Sequence, residues 1–73
     1  MAIKTEELKS GCIAKAADDE PVFVLRAQDR LAPALVRAWA SLAREHGCSD
    51  EKCNEAVQLA RAMEQWPTRK FPD

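Results

Sequence analysis

The sequence predicts a mainly α fold, three helices with one short β-like extended segment at about 21–26, and three observations carry that expectation. Apolar residues recur at spacings of three and four over long stretches, as they do on helices with one covered face. Capping residues and prolines bracket those stretches where helices begin and stop. Only one run, Pro21-Val22-Phe23-Val24-Leu25-Arg26, is β-branched and aromatic yet too short for a helix.

In chain order, Thr5 followed by Glu6 and Glu7 reads as an N-cap with acidic first-turn residues, and Leu8, Cys12 and Ala16 then fall on one face. That predicts a helix from about 5 to 17. Gly11 costs it roughly 1 kcal/mol relative to alanine, so it depends on docking. Asp18-Asp19-Glu20-Pro21 ends it, because the residue before proline is pushed out of the helical region. In the extended run, Val22 and Val24 share one face and Phe23 and Leu25 the other, the pattern of a strand covered on both sides. No second segment reads as a strand. Its backbone therefore either pairs with its copy in another chain, the favoured arrangement, or lies wedged between helices.

Ala32-Pro33 opens the second helix with proline in its favoured first position. Leu35, Val36, Trp39, Leu42, Ala43 and His46 form its expected apolar stripe, and Gly47 its left-handed cap. Ser49 caps the third helix, with Asp50 and Glu51 in the first turn and Cys48 and Cys53 placed as a hydrophobic staple. Cys53, Ala56, Val57, Ala60, Met63 and Trp66 make its expected buried face, and Pro67 stops it. The short Gly47-Cys48-Ser49 joint makes helices two and three a hairpin or a crossed pair.

Seventy-three residues make a single small domain, residues 1–73. A chain this short buries only about 60% of its unfolded surface, so self-association or a partner is the first stabilising device to expect. The balance of 11 basic against 12 acidic residues argues against non-specific binding to duplex DNA, which needs excess cationic charge. No apolar run approaches the roughly 20 residues that cross a bilayer, and the segment Met1 to Glu7 lacks a signal-peptide pattern, so the expectation is a cytoplasmic protein without membrane contact. Cys12, Cys48 and Cys53 are an odd set without C-x-x-C spacing and read as reduced thiols.

Catalysis is demoted because the chain has one histidine, no glycine-rich phosphate loop, no G-x-S-x-G and no acid pair in an apolar setting. His46 reads as structural, and His46, Cys48, Cys53 and Cys12 match no common zinc spacing; no catalytic residue, metal or cofactor is expected. Arg26, Gln28, Asp29 and Arg30 stand just before a helix start, a set of guanidinium forks, an amide and a carboxylate that suits an anionic or purine-like ligand as well as a plain linker. Trp66 and Arg69 extend that candidate set from the segment Gln65 to Asp73, whose tryptophan, phenylalanine and two prolines predict packing on the fold or a neighbour with Arg69 and Lys70 available. Arg37, Ser41 and Arg44 share one exposed face of the second helix and, with Trp66, form the alternative, protein-binding set.

Glu20-Pro21-Val22-Phe23-Val24-Leu25-Arg26-Ala27-Gln28-Asp29, Leu31-Ala32-Pro33 and Val36-Arg37-Ala38-Trp39-Ala40, with the later Met63-Glu64, Trp66-Pro67 and Arg69-Lys70, resemble a family of small accessory proteins of tailed phages and prophages. The resemblance spans nearly the whole chain, implies a place in the host cytoplasm and stoichiometric action on a host component, and brings no activity or functional residues with it. Three expectations follow. The first is a homo-oligomer that sequesters an anionic small molecule such as a nucleotide signal, an anti-defence sponge. The second is a stoichiometric inhibitor of a host protein. The third, a DNA-binding regulator, ranks last because phosphates repel Asp50 and Glu51 at the start of the helix that would read the groove.

Overall fold

The computed structural model describes residues 3–72; Met1, Ala2 and Asp73, and the side chains of Glu7 and Ser10, lie outside that description. Among the described residues four helices form: α1 (Lys4–Ser10), α2 (Cys12–Lys15), α3 (Ala32–Glu45) and α4 (Asp50–Glu64). The single first helix expected from about 5 to 17 is thus divided. Gly11, without a Cβ to favour helical backbone, takes extended angles (φ −87°, ψ −164°) between α1 and α2. Thr5 lies inside the first turn of α1 and not at its cap. The acidic stop appears as a turn in which the Glu20 carboxylate accepts the Ala17 N–H at 3.3 Å and the Glu20 N–H reaches the Ala17 carbonyl at 3.0 Å.

α3 and α4 are the packed pair that the short joint predicts. The joint itself is a Schellman turn: the Gly47 N–H bonds the Arg44 carbonyl at 3.1 Å and the Cys48 N–H bonds the Ala43 carbonyl at 2.9 Å. Gly47 supplies the positive φ, +88°, that this turn needs. Ser49 then caps α4 as expected, its Oγ accepting the Lys52 N–H at 3.3 Å. Cys53, one turn on, is fully buried and lies against Cys48, the staple geometry. Burial, followed by the neighbouring Cys48 thiol, pushes the Cys53 thiol above its ordinary pKa.

The core is made of small residues. Ala32, Ala40, Cys53, Ala60 and Met63 are its buried apolar members, with Pro33 buried beside Ala32. Alanines at the contact let two helix backbones approach closely, so α3 and α4 meet through short side chains. The predicted stripe on α3 is corrected by this. Only Val36 and Ala43 of that set are half-buried; Leu35, Trp39 and Leu42, on the flank of that face, are about half exposed, and His46 is an exposed C-cap. Hydrophobic spacing identified a helix but not which of its two apolar faces meets α4. The buried face of α4 agrees with expectation from Cys53 to Met63, whereas Trp66 lies past the helix end and is 55% exposed.

No Cα of α1 or α2 comes within 8 Å of α3 or α4. The segment 21–26 is extended, and among the described residues it makes no backbone hydrogen bond through residues 21–25. Covering on both sides does not come from its own chain: Phe23 is 85% exposed, Val22 and Val24 are exposed, and Leu25 is half-buried. Among the described residues no helix is long and apolar enough to cross a membrane.

Candidate functional site

Between the extended segment and α3 the chain makes two successive turns. The Asp29 N–H bonds the Arg26 carbonyl at 3.0 Å, and the Ala32 N–H bonds the Asp29 carbonyl at 3.0 Å. The Asp29 carboxylate folds over its own backbone and accepts the Leu31 N–H at 2.8 Å, fixing the entry to α3. Asp29 thus orders the turn two residues ahead of the N-cap Leu31, as a plain linker residue can.

The C-terminal segment returns to this double turn. The Lys70 N–H donates to the Gln28 carbonyl at 2.7 Å and the Arg30 N–H donates to the Lys70 carbonyl at 2.9 Å, a parallel bridge between Asp29 and Lys70. Arg69 Nε points at the Ala27 carbonyl, 3.4 Å away. The Arg30 guanidinium stands 5.6 Å from the centre of the Phe71 ring, a cation–π contact. The segment 65–72 thus packs on its own fold, one of the two expected outcomes. Arg69 is not left available: it is half-buried and occupied with the turn.

Two concavities meet here. A small pocket of about 210 Å³ is lined by Val24, Arg26, Gln28, Asp29, Lys70 and the Phe71-Pro72 end. A groove of about 1260 Å³ runs between α1–α2, the extended segment and the Leu59, Ala62, Met63 and Trp66 side of α4. Val24, Arg26 and Gln28 border both. Of the ligand-binding candidates, Arg26, Gln28 and Asp29 come together in the pocket, Arg30 is held beside it through Phe71, Arg69 braces the turn from behind, and Trp66 lines the groove instead.

Lys70 and Phe71 were missed as lining residues. Nothing in the local sequence signals a pairing across forty residues of chain; the density of aromatic and proline residues near the C-terminus gave only the hint that the segment packs.

The protein-binding candidates are placed differently. Arg37 donates to Glu64 at 2.5 Å and Arg44 Nε lies 3.5 Å from Asp50, so both α3 arginines brace α4. The Arg37 guanidinium, chiefly through its hydrogen bond, holds the Glu64 carboxyl below the usual carboxylate range, and Glu64 in turn raises Arg37. Ser41 is exposed on the same side of α3. Among the described residues no three histidine, cysteine or acidic side chains stand together as metal ligands.

The chain matches no protein-family model, no curated protein and no solved structure.

Proposed function

We propose that this chain is a non-enzymatic accessory protein that captures an anionic small molecule, a nucleotide by preference, at the double turn Arg26–Arg30, and that it works as a homo-oligomer. The observation that carries the reading is the meeting of turn and returning segment: Arg26, Gln28 and Asp29 converge with Lys70 on one pocket, with Arg30 held alongside. Guanidinium forks and backbone suit phosphate oxygens, while the Gln28 amide and the Asp29 carboxylate suit base edges and ribose hydroxyls. The pocket alone, about 210 Å³, is smaller than the roughly 300–1,000 Å³ typical of small-molecule sites. A nucleotide bound there extends its base past Arg26 and Gln28 into the groove towards Trp66. Capture without chemistry is the sponge mode, and it agrees with the resemblance to phage accessory proteins.

A thermal-shift screen against nucleotides tests this. Binding to the native state alone stabilises by about 2.7 kcal/mol at a hundredfold excess over Kd. At least one anionic nucleotide is expected to raise Tm by several degrees, and Arg26→Ala to abolish the shift. No shift with any member of the panel would sink the reading.

A second reading, a stoichiometric inhibitor of a host protein, is favoured by the size and apolar lining of the groove, which suit an amphipathic helix. Its anchor is Trp66; Arg37 and Arg44 are already engaged with Glu64 and Asp50. A host protein recovered in pull-downs and lost with Trp66→Ala, with no nucleotide effect on Tm, would select this reading over the first.

A further inference from the structure

Through residues 21–25 no backbone N–H or carbonyl has a hydrogen-bond partner among the described residues. A strand left this way offers its edges to whatever can pair with it. Of the twelve exposed large apolar side chains, seven line the groove, and three of these, Val22, Phe23 and Val24, belong to this segment. The largest share of the apolar surface left open therefore borders an unpaired strand.

The segment is complementary to itself. Glu20 and Arg26 stand three residues to either side of Phe23. Two antiparallel copies related by a two-fold axis at Phe23 place Glu20 of each opposite Arg26 of the other, and Val22 opposite Val24. Pro21 sets the hydrogen-bonding phase. Along an antiparallel pair, positions that exchange both N–H···O bonds alternate with positions that exchange none. Proline has no N–H to give, so Pro21 belongs at a non-bonded position. Phe23 and Leu25 share that phase, and Val22 and Val24 supply the ladder bonds. The ladder stops at both ends, because the Glu20 N–H is already bonded to the Ala17 carbonyl and the Arg26 carbonyl to the Asp29 N–H. At the axis the two Phe23 rings occupy a non-bonded pair, where facing side chains come closest.

The surroundings carry the same polarity. Asp18, Asp19 and Glu20 precede the segment, offset by Lys15 in the last turn of α2. Arg26, Arg30, Arg69 and Lys70 gather at the double turn that follows it, offset by Asp29. Adding Lys4, which lines the groove, to the first end and Glu64, which lies in the field of Arg69, to the second changes neither sign. Antiparallel copies set the acidic end of each against the basic end of the other; parallel copies set like against like.

We infer that segment 21–25 pairs with the same segment of a second copy, antiparallel and in register about Phe23, with Glu20 of each chain opposite Arg26 of the other. The inference rests on the homo-oligomeric part of the proposed function and not on the nucleotide. Arg26 is common to the pairing and the pocket, and its guanidinium has donors enough for a carboxylate on one edge and a ligand on another. Variants that leave Arg26 unchanged separate the two.

Sedimentation-velocity ultracentrifugation of the nucleotide-free, full-length chain reads the pairing alone, whereas nucleotide capture is read by thermal shift. A dimer or an even-numbered assembly is expected at micromolar concentration. Val24→Pro removes a ladder N–H that has no partner among the described residues. Checked by circular dichroism for unchanged helix content, it is expected to halve the mass, and Val24→Thr, which keeps the N–H, to leave it unchanged. Should Val24→Pro unfold, Glu20→Gln gives the answer: it keeps an acceptor for the Ala17 N–H, removes the charge and is expected to weaken association severalfold. A monomer at micromolar concentration overturns the inference, as does an assembly that a folded Val24→Pro variant leaves intact. So does a Glu20→Gln variant that associates as tightly as the parent, or more tightly, the result expected of a parallel pair.

Discussion

At the scale of single residues, Gly47 and Glu64 carry consequences out of proportion to their contacts. Nothing lies within 4 Å of where a Cβ on Gly47 would stand, so the cost of a side chain there is conformational and not steric. Gly47→Ala is expected to lower unfolding stability by about 1–2 kcal/mol in urea titrations, the cost of forcing an L-residue to a positive φ. An unchanged midpoint would mean that the joint relaxes out of its Schellman turn. Glu64 holds its proton more weakly when folded than when unfolded because Arg37 bonds its carboxylate. Between the two pKa values the unfolded chain binds more protons, so this contribution is complete above about 4.5 and is lost as pH falls through the folded value. The pair is about 40% exposed, which keeps the effect modest. Glu64→Gln should flatten the acid side of the Tm-against-pH curve; an identical acid limb would remove Glu64 from the account. The Ser49 cap, the Cys48–Cys53 staple and the Gly47 turn were all legible in the sequence, because each depends on neighbours within five positions. The Arg37–Glu64 pairing was not, since only the packing of α3 on α4 brings residues 27 apart in the chain together.

At the scale of elements, the α3–α4 pair is held by alanines, and that sets how it responds to mutation. Ala60 is fully buried at the contact, so Ala60→Leu is expected to cost about 1–3 kcal/mol by overpacking, read from the urea midpoint. Leu42→Ala, at a side chain already 57% exposed, should cost little by the same readout. Equal losses at both positions in a chain diluted to monomer would mean that the two faces of α3 are equally packed. The sequence predicted α3 and α4 nearly to their ends but misplaced the covered face of α3. Leu35, Trp39 and Leu42 carry the greater hydrophobicity, and a reading that places the largest apolar residues inside a single chain chooses their side. The first helix failed for a different reason. Gly11 was recognised as a weak point, yet spacing alone does not say whether a helix bends, frays or breaks there.

At the scale of the molecule, the chain has more apolar surface than it can cover. Phe23 at the outer edge, Trp66 in the groove and Trp39 on α3 are all more than half exposed. The extended segment 21–25, without backbone hydrogen bonds among the described residues, presents a further edge to which a second strand can add. Half of the candidate site could be anticipated from sequence, because Arg26, Gln28, Asp29 and Arg30 are contiguous. The other half, Lys70 and Phe71, arrives through a backbone bridge that no local pattern encodes. The account's central claim is capture of an anionic small molecule by an assembled form of this chain. Native mass spectrometry of the untagged protein, purified gently from cells, tests it most directly because one spectrum reports both subunit number and any retained ligand. The account predicts a discrete oligomer carrying additional nucleotide-sized mass that Arg26→Ala removes. A ligand-free species that takes up no nucleotide on addition would contradict it.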